Sequence, residues 1–274
     1  MVELKSMKRS TWIKTFLIST CSASIAAGAC SDSASPPPAP RPAPDTSIIT
    51  YTYSVINTFP HQANTFTQGL VYVDSLFVEG TGIFRDPSTL RRVEVETGAV
   101  LQIRDMPEAR FFGEGVAVWG DTIVQLTWLD GVAIVYDRDT FDEIGRFGYP
   151  TEGWGLTHDG ARFIMSDGTD TLYFRDPDTF TEIGRVTVSD EFGRVTGLNE
   201  LEYIDGMVFA NRYTTTWIVM IDPETGRVRG RVNLVGLEHT ARNVTNGIAF
   251  DAQKRRLFVT GKLWQHVYEI ELIE

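Results

Sequence analysis

Glu114 stands between two glycines in FFGEGVAV, Lys262 follows a glycine in LFVTGKLW, and Asn199 precedes two acids in LNELEYIDG. With Gln68 in TQGL, Trp128 in QLTW, Trp154 in EGWGLTHDG and Tyr213 in NRY, these residues offer a coherent set of chemical groups. A carboxylate can move protons, an ammonium and carboxamides can stabilise a developing oxyanion, and aromatic faces can hold a cation. Glu200 and Glu202 are spaced as a carboxylate pair of the kind glycoside hydrolysis uses. Strand alternation puts those two on one side and Asn199 on the other, so the three are not expected to line one pocket. The four histidines, His61, His158, His239 and His266, are scattered singly without metal-ligand spacing. Asp167 in SDGT and Asp251 read as turn caps. Both cysteines, Cys21 and Cys30, lie in the first 30 residues, so neither a Cys/His zinc site nor a disulfide in the folded part is expected.

Placing these side chains together requires a repeated scaffold. From residue 48 onward the chain runs in short alternating segments rich in Val, Ile, Phe and Tyr, broken by Gly, Asp or Pro, which predicts many antiparallel strands. A first anchor recurs as Gln68-Gly69-Leu70, Glu114-Gly115-Val116, Trp154-Gly155-Leu156 and Asn246-Gly247-Ile248, with Glu200-Leu201 as a degenerate copy. A second follows at the end of the next strand: Glu79-Gly80-Thr81, Gln125-Leu126-Thr127-Trp128, Ser166-Asp167-Gly168, Asn211-Arg212-Tyr213 and Thr260-Gly261-Lys262. A third marks hairpin turns at Glu96-Thr97-Gly98, Asp139-Thr140-Phe141, Asp178-Thr179-Phe180 and Glu224-Thr225-Gly226. Five repeats of about 40 to 46 residues, each of four strands, predict an all-β, five-bladed propeller over residues 47–274. The last repeat has room for about three strands, and a spare strand, Ile48 to Asn57, precedes the first. That strand is expected to close the ring as the outer strand of the last blade, pairing an otherwise open edge. Equivalent positions at one end of the inner strands then form a ring at the channel mouth. Its chemical diversity points to an asymmetric site.

The N-terminus reads as an address. Lys5, Lys8, Arg9 and Lys14 precede an apolar, small-residue stretch, so residues 1–29 are expected to be a signal peptide. Ala27-Gly28-Ala29-Cys30 resembles a bacterial lipobox with Cys30 as the lipidated residue; ordinary secretion with cleavage after Ala29 is the alternative. Residues 30–46, rich in Pro, Ala and Ser, read as a linker that forms no core. The full chain carries 25 basic and 36 acidic residues, a formal charge of −11, without a basic face beyond the N-terminus. Nucleic acid is not expected as a partner, and attachment to a membrane is expected only through acyl chains at Cys30. The implied location is the periplasm, as an anchored lipoprotein.

In the stretches FPHQANTFTQGLVY, FFGEGVAV, QLTW, EGWGLTHDG, FIMSDGT, LNELEYIDG, NGIAFD and LFVTGKLW, in order from His61 to Trp264, the sequence resembles the plant-type glutaminyl-peptide cyclotransferases, a five-bladed propeller family also found in bacteria. The resemblance implies conversion of N-terminal glutaminyl residues of peptides or proteins to pyroglutamate with release of ammonia. It makes Glu114 the general acid/base and gives Lys262 and Asn199 the amide oxygen or the tetrahedral intermediate. Gln68 would bind the substrate's amide or backbone, and Trp128 and Trp154 would wall the glutaminyl side chain. Where a third tryptophan is expected the chain has Tyr213, a smaller wall, so the pocket on that side and the preference for the residue after Gln are expected to differ. The glycines flanking Glu114 are expected to let a substrate backbone approach. No cofactor is implied, although a structural Ca²⁺ in the channel is compatible with the hard oxygen ligands near the axis. A monomer is expected, since a closed propeller has no free edge. Two other readings compete, a non-catalytic envelope scaffold and a calcium-dependent lactonase-like propeller using Glu114, Asn199 and Asn246.

Overall fold

The computed structural model describes residues 47–82 and 87–274. The expectations for the signal peptide, for Cys30 and for the linker lie outside the described residues.

The chain forms four-stranded antiparallel units in sequence order. Blade 1 comprises β2 (Thr67–Val73), β3 (Leu76–Thr81), β4 (Thr89–Glu94) and β5 (Val100–Asp105). Blade 2 comprises β6 (Gly113–Trp119), β7 (Thr122–Thr127), β8 (Val132–Asp137) and β9 (Glu143–Gly148). Blade 3 follows with β10 (Leu156–His158), β11 (Phe163–Ser166), β12 (Thr171–Arg175) and β13 (Glu182–Thr187). A two-stranded hairpin, β14 (Ser189–Asp190) with β15 (Gly193–Arg194), intervenes. Blade 4 is β16 (Leu198–Ile204), β17 (Met207–Arg212), β18 (Trp217–Ile221) and β19 (Val228–Asn233). The last three strands, β20 (Thr245–Asp251), β21 (Arg256–Gly261) and β22 (His266–Ile273), are completed by β1 (Ile49–Pro60).

The N-terminal strand does close the last blade, pairing antiparallel with β22 from Thr52 to Pro60. It is three residues longer at its end than the sequence suggested, and its first residues add a link that periodicity did not indicate. Ile49 to Tyr51 pair in parallel with Gly230 to Val232 of β19, which joins blades 4 and 5 into one eight-stranded sheet. The inner strands neighbour one another cyclically, β2 with β6, β6 with β10, β10 with β16, β16 with β20, and β20 with β2.

No blade buries both faces alone, so the core lies between blades. Val78, Leu90, Ile123 and Phe141 fill the boundary of blades 1 and 2, whereas Phe59, Phe77 and Phe258 fill that of blades 5 and 1. Phe258 is fully buried, with the Tyr72 ring stacked at 5.5 Å and the Phe77 ring edge-on at 5.2 Å. Truncating such a ring to Ala costs about 3–5 kcal/mol. Three of the four acidic-Thr turns have a common cause. Asp137 Oδ1 accepts the N–H groups of Asp139 and Thr140, Asp176 Oδ1 those of Asp178 and Thr179, and Asp222 Oδ1 those of Glu224 and Thr225.

The ring is tightest at the first anchors. A methyl group on Gly69 would meet Val116 N at 2.5 Å, one on Gly115 would meet Leu156 N at 2.6 Å, and one on Gly155 would approach Asn199 O. Inner strands therefore touch backbone to backbone. This corrects the expectation that the glycines beside Glu114 admit a substrate: Gly115 is filled by blade 3, and Gly113 by Thr81 O and the Gln125 side chain of its own surroundings.

Candidate active site

The first anchors sit at the upper ends of the inner strands, where pairing to the second strand breaks register. β2 shifts between Thr67 and Gly69, β6 between Gly113 and Val116, β16 between Leu198 and Leu201, and β20 between Thr245 and Ile248. Bulges at such places re-aim side chains. Asn199 and Glu200 part to different sides, as alternation predicts. Asn199 lines the cavity at the mouth, while Glu200 reaches across the axis to accept Leu70 N at 3.2 Å and Ile248 N at 2.8 Å. Glu202 accepts Phe250 N at 3.1 Å. These two acids hold inner strands together and do not form a hydrolytic pair with Asn199.

A cavity of about 130 Å³ opens at this end. With about 30 Å³ per water in the liquid, it holds a group the size of one side chain. All seven residues singled out in the sequence line it: Gln68, Glu114, Trp128, Trp154, Asn199, Tyr213 and Lys262. Two more do so, Phe66 and Phe112. Each lies two residues before its anchor, in repeats 1 and 2, a correspondence present in the sequence but obscured by the surrounding apolar residues. A larger groove, about 770 Å³, lies between blades 4 and 5 and includes Met207, Phe209 and Arg255. Its arginines are occupied by Asp222, Asp205 and Glu269, so size does not make it the site.

Glu114 is buried, and its Oε1 accepts a hydrogen bond from Gln68 Nε2 at 3.0 Å. Gln68 Oε1 in turn accepts from Asn246 Nδ2 at 3.2 Å. Burial pushes the Glu114 carboxyl well above the usual carboxylate range; the Lys262 ammonium opposes this and the Glu152 charge adds to it. Burial also lowers Lys262, to about 8, with Glu114 acting against the shift. The Lys262 ammonium lies 4.8 Å from the centre of the Phe66 ring and 5.2 Å from that of Tyr213. Asn199 is buried and its Oδ1 has no hydrogen-bond partner.

The aromatic wall includes two ring pairs. Phe112 meets Trp128 at 5.7 Å, and Trp154 meets Tyr213 edge-on at 5.3 Å. Both indole N–H groups donate to Glu152, a residue the sequence reading did not assign. Tyr213 is 39% exposed and forms the outer side of the pocket. Of the oxygens invoked for a calcium-dependent lactonase, Glu114 Oε1 accepts from Gln68, whereas the Oδ1 atoms of Asn199 and Asn246 are buried without a hydrogen-bond partner; Asn246 donates through Nδ2 to Gln68 Oε1 and Thr67 O. Among the described residues no three His, Cys, Asp or Glu side chains gather as a metal site. Asp167 and Asp251 cap turns, accepting Thr169 N and the N–H groups of Gln253 and Lys254. His61 pairs with Glu79 at 2.9 Å, and His266 with Glu238 at 2.7 Å.

The chain is similar to known proteins over nearly its whole folded length. The family model described as glutamine cyclotransferase matches residues 23–272. A glutaminyl-peptide cyclotransferase of Arabidopsis thaliana is 39% identical over 228 residues, covering 80% of this chain and 70% of that protein. The crystal structure of Myxococcus xanthus glutaminyl cyclase superposes with a TM-score of 0.77 at 32% identity, over 82% of this chain and 98% of the other. With the match spanning nearly the whole propeller, the chain belongs to the glutamine cyclotransferase family.

Proposed function

We propose that this chain performs glutaminyl-peptide cyclotransfer by using the substrate's own amine as nucleophile and Glu114 as the proton shuttle. The observation that carries the mechanism is the buried Glu114, with its raised protonation range, in a side-chain-sized cavity shared with Lys262 and Asn199. A peptide's α-amino group has a pKa of about 7.7–8.0, and raising the Glu114 carboxyl above the usual carboxylate range narrows the gap between the two, which favours proton transfer. The glutaminyl side chain enters between Trp128 and Trp154 and is held curled, which brings the amine to the amide carbon. That proximity supplies much of the rate, because the reaction is intramolecular.

As the amine attacks, Glu114 takes its proton and the carbonyl oxygen becomes anionic. Lys262 and the Asn199 carboxamide stabilise that oxygen in a desolvated pocket. The C–N bond to the former side-chain nitrogen then breaks, Glu114 returns its proton to that nitrogen, and ammonia leaves with the pyroglutamyl ring closed. No redox step or external nucleophile enters the balance. Ammonia release from a Gln-initiated dipeptide, measured with and without chelator, tests this reading. Activity that survives chelator and is lost in Glu114→Gln supports it, and no ammonia from the folded protein over several Gln peptides overturns it.

The cellular setting belongs to the same proposal: export by residues 1–29, lipidation at Cys30, and a linker over residues 30–46 that tethers a monomeric propeller on the periplasmic side of a membrane. Its substrates are then exported peptides or proteins beginning with Gln. Cys30→Ser is expected to release the protein from the membrane fraction.

A further inference from the structure

Glu152 lies outside the cavity lining, on the exposed rim, in the loop leading to Trp154. Its Oε2 nevertheless accepts two indole N–H groups, Trp128 Nε1 at 2.7 Å and Trp154 Nε1 at 2.9 Å. The tryptophans come from different blades, one after β7 in blade 2 and the other before β10 in blade 3. They meet at one oxygen. An exposed ion pair would contribute little to such a site, but hydrogen bonds to a charged acceptor are about twice as strong as neutral ones. Fixing the N–H edge of each indole at the rim leaves the two ring systems as cavity walls.

Resting on the cyclotransferase reading of this site, we propose that Glu152 is a positioning residue for cyclisation: one carboxylate oxygen ties the aromatic walls of blades 2 and 3 together and sets a fixed negative charge where the substrate's α-ammonium enters. The charge attracts the ammonium, and the N–H bonds to it polarise the indoles so that their faces hold a cation more strongly. The same charge acts on Glu114. The groups acting electrostatically on Glu114 are Lys262 from blade 5, which favours its ionised form, and Glu152 from blade 3, which opposes it. Tyr149 of blade 2 senses Glu114 in turn, but burial keeps its phenol neutral, hydrogen-bonded to Thr127. Glu152 thus couples recognition of the amine to the proton it must lose.

Steady-state kinetics on the full chain with a Gln-initiated dipeptide, across pH, test the proposal in Glu152→Gln and Glu152→Ala. The Gln variant keeps an oxygen for both indoles but loses the charge, so the acid limb of its kcat/KM profile is expected to move to lower pH. The Ala variant loses the tie as well, so its KM is expected to rise by about tenfold, more than kcat falls, as when a charge-assisted hydrogen bond is lost. Its near-ultraviolet circular dichroism is expected to change while its melting temperature stays near wild type. A wild-type KM in the Ala variant, or an unmoved acid limb in the Gln variant, overturns the proposal while leaving cyclotransfer intact. A wild-type protein that releases no ammonia overturns the cyclotransferase reading itself, and the role of Glu152 with it.

Discussion

Gln68 Nε2 donates to Glu114 Oε1 over 3.0 Å, across the boundary of blades 1 and 2. Because Asn246 Nδ2 holds the other end of the same amide, three blades converge on one carboxylate oxygen. The family resemblance assigns Gln68 to the substrate, whereas the geometry also gives its amide a second task, fixing the orientation of the Glu114 carboxylate, which in the proposed mechanism leaves its other oxygen for the incoming amine. Gln68→Ala is accordingly expected to lower kcat by about 10–100-fold, a cost typical of losing a partner that orients a reactive group. A rise in KM with unchanged kcat would show that Gln68 serves binding alone.

Glu114→Gln removes the proton shuttle and keeps the shape. Activity is expected to fall by about 10²–10⁴, the usual contribution of a positioned acid or base. Stability is expected to move the other way. A carboxyl whose folded pKa is raised is fully tolerated below its unfolded value, and its cost appears as pH rises from there through the folded value. The variant should therefore match wild type near pH 4 and become the more stable protein towards pH 8. Chemical denaturation at both pH values checks this.

The fold was legible because two kinds of spacing agree, alternation within strands and a 40–46-residue period between anchors. The closing strand was legible too, since the last repeat ran short and an unassigned strand preceded the first. The parallel pairing of Ile49 with Gly230 was not, because backbone pairing of three residues leaves no pattern in side chains. Neither was the hairpin Ser189–Arg194, which lies in the inserted length between repeats. At the site, alternation separated Asn199 from Glu200 and Glu202, but it gave no sign that the two acids turn to the backbone N–H groups of Leu70, Ile248 and Phe250 on other inner strands. Glu152 escaped notice because an acid in a polar loop resembles ordinary surface until two indoles are seen to converge on it.

Cyclisation should have a bell-shaped pH dependence. The rising limb reflects ionisation of Glu114, displaced upward by burial and Glu152. The falling limb reflects loss of the Lys262 charge at about 8. Lys262→Met is expected to lower kcat and to abolish the falling limb, because no ammonium is left to titrate. A falling limb that persists at the same pH in the variant would assign it to another group.

His61 and Glu79 form a buried pair behind the loop that carries Phe66, with His61 Nδ1 also 2.9 Å from Trp264 O. Burial opposes the charge on His61, but Glu79 outweighs it and the net direction is upward. Burial likewise opposes ionised Glu79, and His61, Thr67 and Arg91 together bring it below the usual range. The pair therefore stabilises fully between the unfolded values of Glu and His, about 4.3 and 6.5. That contribution is lost on the acid side as pH falls through the lowered Glu79 value. On the alkaline side it is lost as pH rises through the raised His61 value. His61→Ala removes the main counter-charge of buried Glu79, leaving it Thr67 and the more distant charge of Arg91, and is expected to cost about 3 kcal/mol near pH 6. Urea unfolding at pH 6 and pH 9 should show the loss shrinking at the higher pH.

Gly168 supports Trp154 from beneath. Its φ is +81°, and a methyl group there would meet three ring atoms of Trp154 at 2.6–2.8 Å. Gly168→Ala therefore carries two costs, backbone strain of about 1–2 kcal/mol and displacement of the indole. Gly160 separates them: at the opposite end of the same blade it has φ +86° with nothing within 4 Å of an added methyl group. Gly160→Ala should lose similar stability and retain the wild-type KM for a Gln-initiated dipeptide. Gly168→Ala should lose stability and also show a higher KM and altered tryptophan fluorescence, because the moved ring no longer meets Glu152 and Tyr213 as before. Equal KM values in the two variants would mean that the position of Trp154 does not govern substrate binding.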